Sequence, residues 1–388
     1  MTGSDHRRVM VVCPTEYGGQ IEHAADLALA IAEQPGVERC LLLSRPGAAE
    51  YLGELKNPKV KVLETLPRRR KKGSKLQNLL RPARQVMDLV TEHLIIRRLS
   101  RAAGDGAQLV LETSKYPVVS LLRAGQKSEV VLFVHNAKPH FDPRQASLRD
   151  RVLLGLESYS MRTADRVVTQ GTTQAETLRE VVGDRLRAVS LPLSSRLSKS
   201  QDLASQDVAS LSSATDLSKK ALCIGELRSN KGIEIAIEAA DTAQVPLVIA
   251  GKSDGAETEA KLAELAAASE YIVLEDRFLE RSEFDRYLES AKLIVLPYVH
   301  FDAQSGILAK AMYVKASIFA SDLPALRDQA GDYPDISFAD HQDPAGFAAG
   351  LAEAFKKAQG PRQDDQPEDF SDWDSVAVAV LGGHRKQS

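Results

Sequence analysis

Residues 221–251 read ALCIGELRSNKGIEIAIEAADTAQVPLVIAG. A short apolar run (221–225) leads into a polar turn, an apolar three-and-four periodicity covers 233–243, and a second apolar run follows at 246–251. The short runs predict strands buried on both faces, and the periodic stretch predicts an amphipathic helix. Strand, helix, strand in one sheet means two parallel strands joined by a crossover.

The pattern continues in both directions. Downstream, helical spacing at 256–268, 281–290 and 305–315 alternates with strand candidates at 271–274, 293–298 and 317–321. Upstream, strands are expected at 9–13, 40–43, 60–63, 109–111, 130–134 and 166–169, and a helix over 22–34. Residues 194–219 interrupt the alternation with nine serines in 26 positions and no aromatic residue, which suggests a linker or an exposed excursion. The expectation is an α/β chain of two doubly wound parallel-sheet domains, 1–193 and 220–360, joined by 194–219. Ligands of such folds bind at the carboxyl ends of the strands.

At 388 residues, 43% hydrophobic and 27% charged, the chain can bury two cores of ordinary size. A formal net charge of -3 excludes a uniformly basic nucleic-acid coat, yet it hides an asymmetry. Residues 1–200 carry 32 Lys and Arg against 21 Asp and Glu, whereas residues 201–388 carry 18 against 32. The two halves should therefore face different partners. Cys13, Cys40 and Cys223 have no paired spacing, so neither a zinc cage nor a disulfide framework is expected, and a reducing cytoplasm suits the chain. The apolar run at 9–13 is too short for a signal-peptide core, and no stretch approaches the roughly 18 apolar residues of a membrane span.

Chemistry is sought in the turns after strands. The chain contains neither G-x-G-x-x-G nor G-x-x-x-x-G-K-[ST], which weakens dinucleotide oxidoreductase and P-loop readings, and the only D-x-D lies at Asp372–Asp374. Four segments remain. In 225–240, Arg228 and Lys231 stand between a strand end and a helix opening near Gly232, so two cations and free backbone N–H groups can converge on a phosphate. The alternative is a solvated basic loop. In 298–312, Gln304, Ser305 and Gly306 form a turn poor in side chains, open to a diphosphate or sugar or serving only as an N-cap. In 130–143, His135 and Asn136 come at a strand tip, with His140 beyond. In 16–24, Gly18 and Gly19 either let a substrate approach the backbone or serve a tight turn.

In this order the segments resemble the retaining GT-B glycosyltransferases of family 4 (group 1 type). The residues that carry the resemblance are Gly18-Gly19, His135, G-x-x-R-x-x-K-G at 225–232, LVIAG at 247–251, AKLIVLPY at 291–298, QSGIL at 304–308 and SDLPALRD at 321–328. The tail FSDWDSVAVAVL, 370–381, is similar to the last helix of that fold, which crosses back to the N-terminal domain, so 361–388 is expected to do the same. The resemblance implies a GT-B architecture, two Rossmann-like domains facing each other across a cleft, and transfer of a sugar from a nucleotide-diphosphate donor. It implies that Arg228 and Lys231 hold the diphosphate and that Gly225, Gln304, Ser305, Gly306, Ile307 and Gly19 contact the donor. His135 would approach the sugar, and Gly18, Gly19, Gln20 and Asn136 the acceptor. No metal and no cofactor besides the donor is implied. Many relatives carry Glu-x7-Glu where this chain has Asp302 and Lys310, and Arg where it has Glu226. A degenerate homologue serving as a scaffold, and a nucleotide-sugar epimerase, are the alternatives.

The most basic stretch, 68–101, holds 11 Lys and Arg against 2 Asp and Glu, with an apolar stripe through Leu79, Leu80, Ala83, Val86, Met87, Val90, Leu94 and Ile95. An anionic membrane surface touched by Arg68, Arg69, Arg70, Lys71 and Lys72 would suit it, with a lipid-linked or glycan acceptor. The alternative is a solvated basic face whose stripe belongs to the core. Nucleic acid is not expected, since the stretch lacks aromatic residues for stacking.

Overall fold

A computed structural model describes residues 7–68, 81–104, 106–112, 128–137, 148–189, 216–301, 304–361 and 373–382, with backbone only at 81–85, 148–150 and 153. The chain divides into unit 1, Met1–Asp202 with Ser371–Ser388, and unit 2, Leu203–Phe370.

In unit 1, strand β1 (Arg7–Val12) alternates between two apolar layers. Val9 and Val11 join the layer formed by α1 (Gly19–Glu33) with Ala24, Ala28 and Ile31. Met10 and Val12 join the opposite layer. The unit continues with β2 (Val37–Ser44), α2 (Ala48–Leu52), β3 (Val60–Glu64), α3 (Arg81–Ala103), β4 (Gln108–Leu111) and β5 (Glu129–Val134). Then come α4 (Leu148–Thr163), β6 (Arg166–Gln170), α5 (Thr172–Val182) and β7 (Leu186–Val189). Ile96 of α3, Met161 of α4 and Leu178 of α5 cover the second face. The seven strands are parallel, in the order β3-β2-β1-β4-β5-β6-β7. Burial on both faces explains the unbroken apolar runs, and each fully buried Val or Leu contributes about 1.5–3 kcal/mol.

Unit 2 repeats the scheme. Its elements are β8 (Ala221–Ile224), α6 (Ile233–Ala243), β9 (Leu247–Gly251), α7 (Ala256–Ala267), β10 (Ile272–Asp276), α8 (Arg281–Ser290) and β11 (Leu293–Leu296). They are followed by α9 (Gly306–Tyr313), β12 (Ile318–Ser321), α10 (Pro324–Ala330), β13 (Ile336–Ala339) and α11 (Pro344–Lys357). The parallel sheet runs β10-β9-β8-β11-β12-β13. Phe347 and Leu351 of α11 pack with Ala236, Ile237 and Ala240 of α6 over one face.

The last helix, α12 (Trp373–Leu381), belongs to unit 1, where Trp373, Val376, Ala377 and Val380 share the core of α1. Its final carbonyls, which have no partner within a helix, are taken by the strands: Arg7 donates to Leu381 O at 3.0 Å, Gln108 to Val380 O at 2.8 Å, and Arg166 also to Val380 O. Of the serine-rich stretch 194–219, only 216–219 lies among the described residues. The three cysteines are free and buried.

Candidate functional site

In each sheet the strand order reverses beside the first strand, between β1 and β4 in unit 1 and between β8 and β11 in unit 2. Loops leaving the carboxyl ends there diverge to opposite faces and open a crevice, the usual ligand position in such sheets.

In unit 2, the β8 loop is seated on its neighbours by backbone contacts. Leu227 N–H donates to Lys252 O at 3.0 Å and Val299 N–H to Asn230 O at 3.1 Å. A turn of 3-10 helix, Ser229–Lys231, ends at Gly232, whose left-handed φ of 63° starts α6. A Cβ on Gly232 would lie 1.8 Å from the Pro297 carbonyl oxygen, and one on Gly251 1.8 Å from the Gly225 oxygen, so both glycines are demanded by close packing of backbone on backbone. Gly225 in turn faces Ile307 of α9, whose Cδ1 would stand 2.8 Å from an added Cβ. The loops bearing Gly225, Arg228, Lys231 and Ile307 are thus brought to one edge.

The Lys231 ammonium sits 3.7 Å from the Tyr298 ring centroid and 5.2 Å from that of Phe301, a cation–π arrangement that holds the charge without neutralising it. Arg228 is restrained by an acid: its Nε lies 3.3 Å from Glu226 Oε2, in an ion pair with both side chains partly in solvent. Ser305 behaves as an N-cap. Its Oγ accepts from Leu308 N–H at 3.2 Å and pairs with Tyr298 Oη at 3.0 Å, while its N–H and carbonyl bond the Gln329 amide at 2.6 and 2.8 Å. These bonds shape the turn that carries Gly306 and Ile307. Among the described residues, the N–H groups of Gly306 and Ile307 at the start of α9 keep no protein acceptor. Gln304 stands half-buried just before them. Lys310 lies one turn along α9 and is held 3.0 Å from Asp285 of α8.

In unit 1, β5 delivers His135 to its carboxyl end, as expected, one strand beyond the switch point, and a carboxylate that the motif search passed over meets it there. Glu112, directly after β4, is fully buried, and its Oε2 is 2.5 Å from His135 Nε2 and 3.1 Å from Nδ1 of His23 on α1. Gln170, at the end of β6, reaches Nε2 of His23 at 2.9 Å. Gln20 donates to the Glu112 carbonyl at 2.5 Å. The His23 ring stacks edgewise on Phe133 and His135, both at 4.7 Å between centroids, and Trp373 of α12 lies 5.2 Å away.

Burial alone would push the Glu112 carboxyl up, but the charges and hydrogen bonds of His23 and His135 outweigh it and hold the group at about 2. His23 is pushed down by burial, against the pull of Glu112. The three side chains offer donor atoms within 4.8 Å of one another. Ligands of a tetrahedral ion at 2.0–2.1 Å stand about 3.3 Å apart, so the 2.5 Å His135–Glu112 contact is a hydrogen bond rather than part of a coordination shell.

Gly18 takes φ 87° as the N-cap of α1, whereas Gly19 is helical and faces open space, so nothing among the described residues demands glycine there. Asn136 is exposed beside His135. Arg68 is exposed; Arg69, Arg70, Lys71, Lys72, Leu79, Leu80 and His140 lie outside the described residues. On α3 the apolar stripe divides. Ile95 is half-buried against the core that includes its neighbour Ile96, while Val86, Met87, Val90 and Leu94 are 51–67% exposed.

Residues 212–369 match the model of a family described as glycosyl transferases group 1. No curated protein matches the chain. Among solved structures, HepE of Anabaena in complex with UDP and glucose is 14% identical, with a TM-score of 0.60 over 97% of each chain. Sucrose-phosphate synthase of Thermosynechococcus elongatus is 15% identical, with a TM-score of 0.64 over 97% of this chain and 94% of that one. A UDP-forming α,α-trehalose-phosphate synthase of Burkholderia vietnamiensis is 11% identical, at 0.58 over 97% and 95%. What is shared at these identities is the fold, two parallel-sheet Rossmann-like units of GT-B type.

Proposed function

We propose that the protein is a glycosyltransferase that moves a sugar from a nucleoside-diphosphate donor to a glycan, lipid-linked or small-molecule acceptor, with retention at the anomeric carbon. The observation that carries this reading is the rigidly seated loop 225–232 inside the segment that matches the group 1 family, with Lys231 held over the Tyr298 ring and, among the described residues, no protein acceptor for the N–H groups of Gly306 and Ile307. The solved structures of HepE with UDP and with UDP-glucose make a nucleotide-sugar donor the natural candidate.

As the bond between the anomeric carbon and the diphosphate oxygen breaks, negative charge builds on the departing oxygen. Arg228, Lys231 and the α9 N–H groups are fixed before the reaction and stabilise that charge more as it develops than in the bound donor. The acceptor oxygen bonds to the same face of the anomeric carbon, and its proton passes to the departing phosphate oxygen. The cations supply the charge stabilisation in this scheme, so it needs no metal. His135 contacts the sugar, and Gly18, Gly19, Gln20 and Asn136 serve the acceptor.

The test is transfer and hydrolysis measured across a panel of nucleoside-diphosphate sugars. Arg228→Ala and Lys231→Ala should each lower turnover about 10²–10³-fold. Near-normal rates in both variants would sink the assignment. Donor binding with neither transfer nor hydrolysis points to a scaffold, and a changed sugar nucleotide without acceptor to an epimerase.

The exposed Val86, Met87, Val90 and Leu94, with Arg98 and Arg101 exposed on the same helix, favour a cytoplasmic protein that rests on an anionic membrane near a lipid-linked acceptor. No helix among the described residues is long and apolar enough to cross a membrane. Co-sedimentation with anionic vesicles should fall several-fold in a Val86→Ser/Met87→Ser/Val90→Ser variant, and unchanged binding removes α3 as the contact.

A further inference from the structure

The buried cluster of unit 1 contains more than a sugar-contacting histidine requires, and its hydrogen bonds assign the hydrogens that face Glu112. A carboxylate only accepts hydrogen bonds. Each ring nitrogen facing Glu112 Oε2 therefore carries hydrogen, Nδ1 on His23 and Nε2 on His135. Burial disfavours a second proton on His23, so its Nε2 is a lone pair that must accept, and the Gln170 amide nitrogen donates to it at 2.9 Å. Gln170 is itself anchored, its carbonyl accepting from Gln174 at 3.2 Å, and Gln174 Oε1 takes the N–H of Ala137 at 2.8 Å, two residues after His135. Ring, carboxylate and following backbone are tied into one frame.

His135 has one nitrogen left. Its Nδ1 has no partner among the described residues, and the side chain keeps 24% exposure while Glu112 beneath it has none. The geometry points to Glu112 as a positioning residue, buttressed by His23 and Gln170, that fixes a hydrogen on Nε2 of His135 and turns Nδ1 toward a hydroxyl of the bound sugar. The ligand's identity rests on the proposed glycosyl transfer; the hydrogen on Nε2 does not. A glutamine at 112 keeps the shape, but it can turn a donor toward the ring and reverse the tautomer. Glu112 Oε1 is buried and has no hydrogen-bond partner among the described residues, so both rings are held through Oε2.

Long-range ¹H–¹⁵N correlation of the histidine rings in the full chain tests this directly. The wild type should show His135 protonated at Nε2 and His23 at Nδ1. Glu112→Gln should turn His135 into a tautomer mixture, and Gln170→Leu should disturb His23 first. A wild-type His135 protonated at Nδ1 and not at Nε2 overturns the proposal even if no variant folds. So does a Glu112→Gln spectrum identical to wild type. In the transfer assay, Glu112→Gln should lower turnover roughly ten- to a hundredfold, the range seen when an outer partner of a ligating imidazole is lost, with donor KM changed less than threefold. An unchanged turnover, or an effect confined to KM, overturns the positioning role. If the wild type transfers no sugar, the glycosyltransferase reading fails, while the ring spectra still decide the tautomer.

Discussion

Gly232→Ala isolates the steric demand at the root of the β8 loop. The substitution carries two costs. An L-residue in the left-handed region costs about 1–2 kcal/mol, and Gly232 has φ 63° and ψ 31°. The new Cβ would also stand 1.8 Å from the Pro297 carbonyl oxygen, 2.9 Å from its carbon and 3.2 Å from Val299 Cγ2, so backbone has to move by more than an ångström. Overpacking of that kind adds about 1–3 kcal/mol, for a total near 2–5 kcal/mol. The same unit contains an internal control. Gln244 occupies φ 54° and ψ 36°, nearly the same conformation, as an exposed residue after α6. Gln244→Gly should stabilise unit 2 by about 1 kcal/mol, because the left-handed cost is relieved while unfolded-state freedom increases. The assay is calorimetric unfolding followed through the unit 2 transition. For a unit of 168 residues, Leu203–Phe370, each kcal/mol shifts the midpoint by about 2–4 °C. Gly232→Ala should therefore lower it by roughly 5–20 °C, and Gln244→Gly should raise it by a few degrees. If Gly232→Ala costs no more than Gln244→Gly gains, the Pro297 contact contributes nothing, and the reasoning about the loop's seat is wrong.

Acid should weaken unit 1 from two sources with the same sign. Glu112 is held at about 2 against an ordinary 4.5, so its contribution is complete above the ordinary value and disappears as pH falls through the folded one. The difference corresponds to roughly 3 kcal/mol. His23 is depressed, so the unfolded chain takes its proton first, and stability falls below the ordinary 6.5. Denaturant midpoints between pH 7 and pH 2 check this; Glu112→Gln should flatten the lower part of the slope, and an unchanged slope would clear the carboxylate. Glu226→Gln should tighten nucleoside-diphosphate binding about two- to fivefold by titration calorimetry, the range expected on releasing an exposed ion pair; weaker binding would mean that Glu226 assists rather than restrains Arg228.

The fold was largely legible because a sheet covered on both faces needs continuous apolar strands, and 221–224, 247–251 and 293–296 are such runs bounded by turn residues. The edge strands β7 and β13 escaped, since LRAV and ISFA have four residues each and only partial burial. His135, Arg228 and Lys231 were visible as polar residues following strands. Glu112 was not, although an acid immediately after the apolar QLVL was a usable signal. Its meaning depends on His23, 89 residues away, and on the strand order that brings α1 and β4 together. No local pattern encodes that distance. The division of the α3 stripe into buried and exposed parts was equally hidden, because helical spacing marks an apolar face without saying what covers it.

The position of α12 has a consequence for the order in which the chain acquires structure during synthesis. Unit 2 is translated in full before Trp373 leaves the ribosome, while unit 1 lacks the helix that closes α1 and lies against His23. The segment made first is thus completed last. A chain released after residue 370 would carry a finished second unit and a first unit with an uncovered apolar face, a natural stopping point for a chaperone.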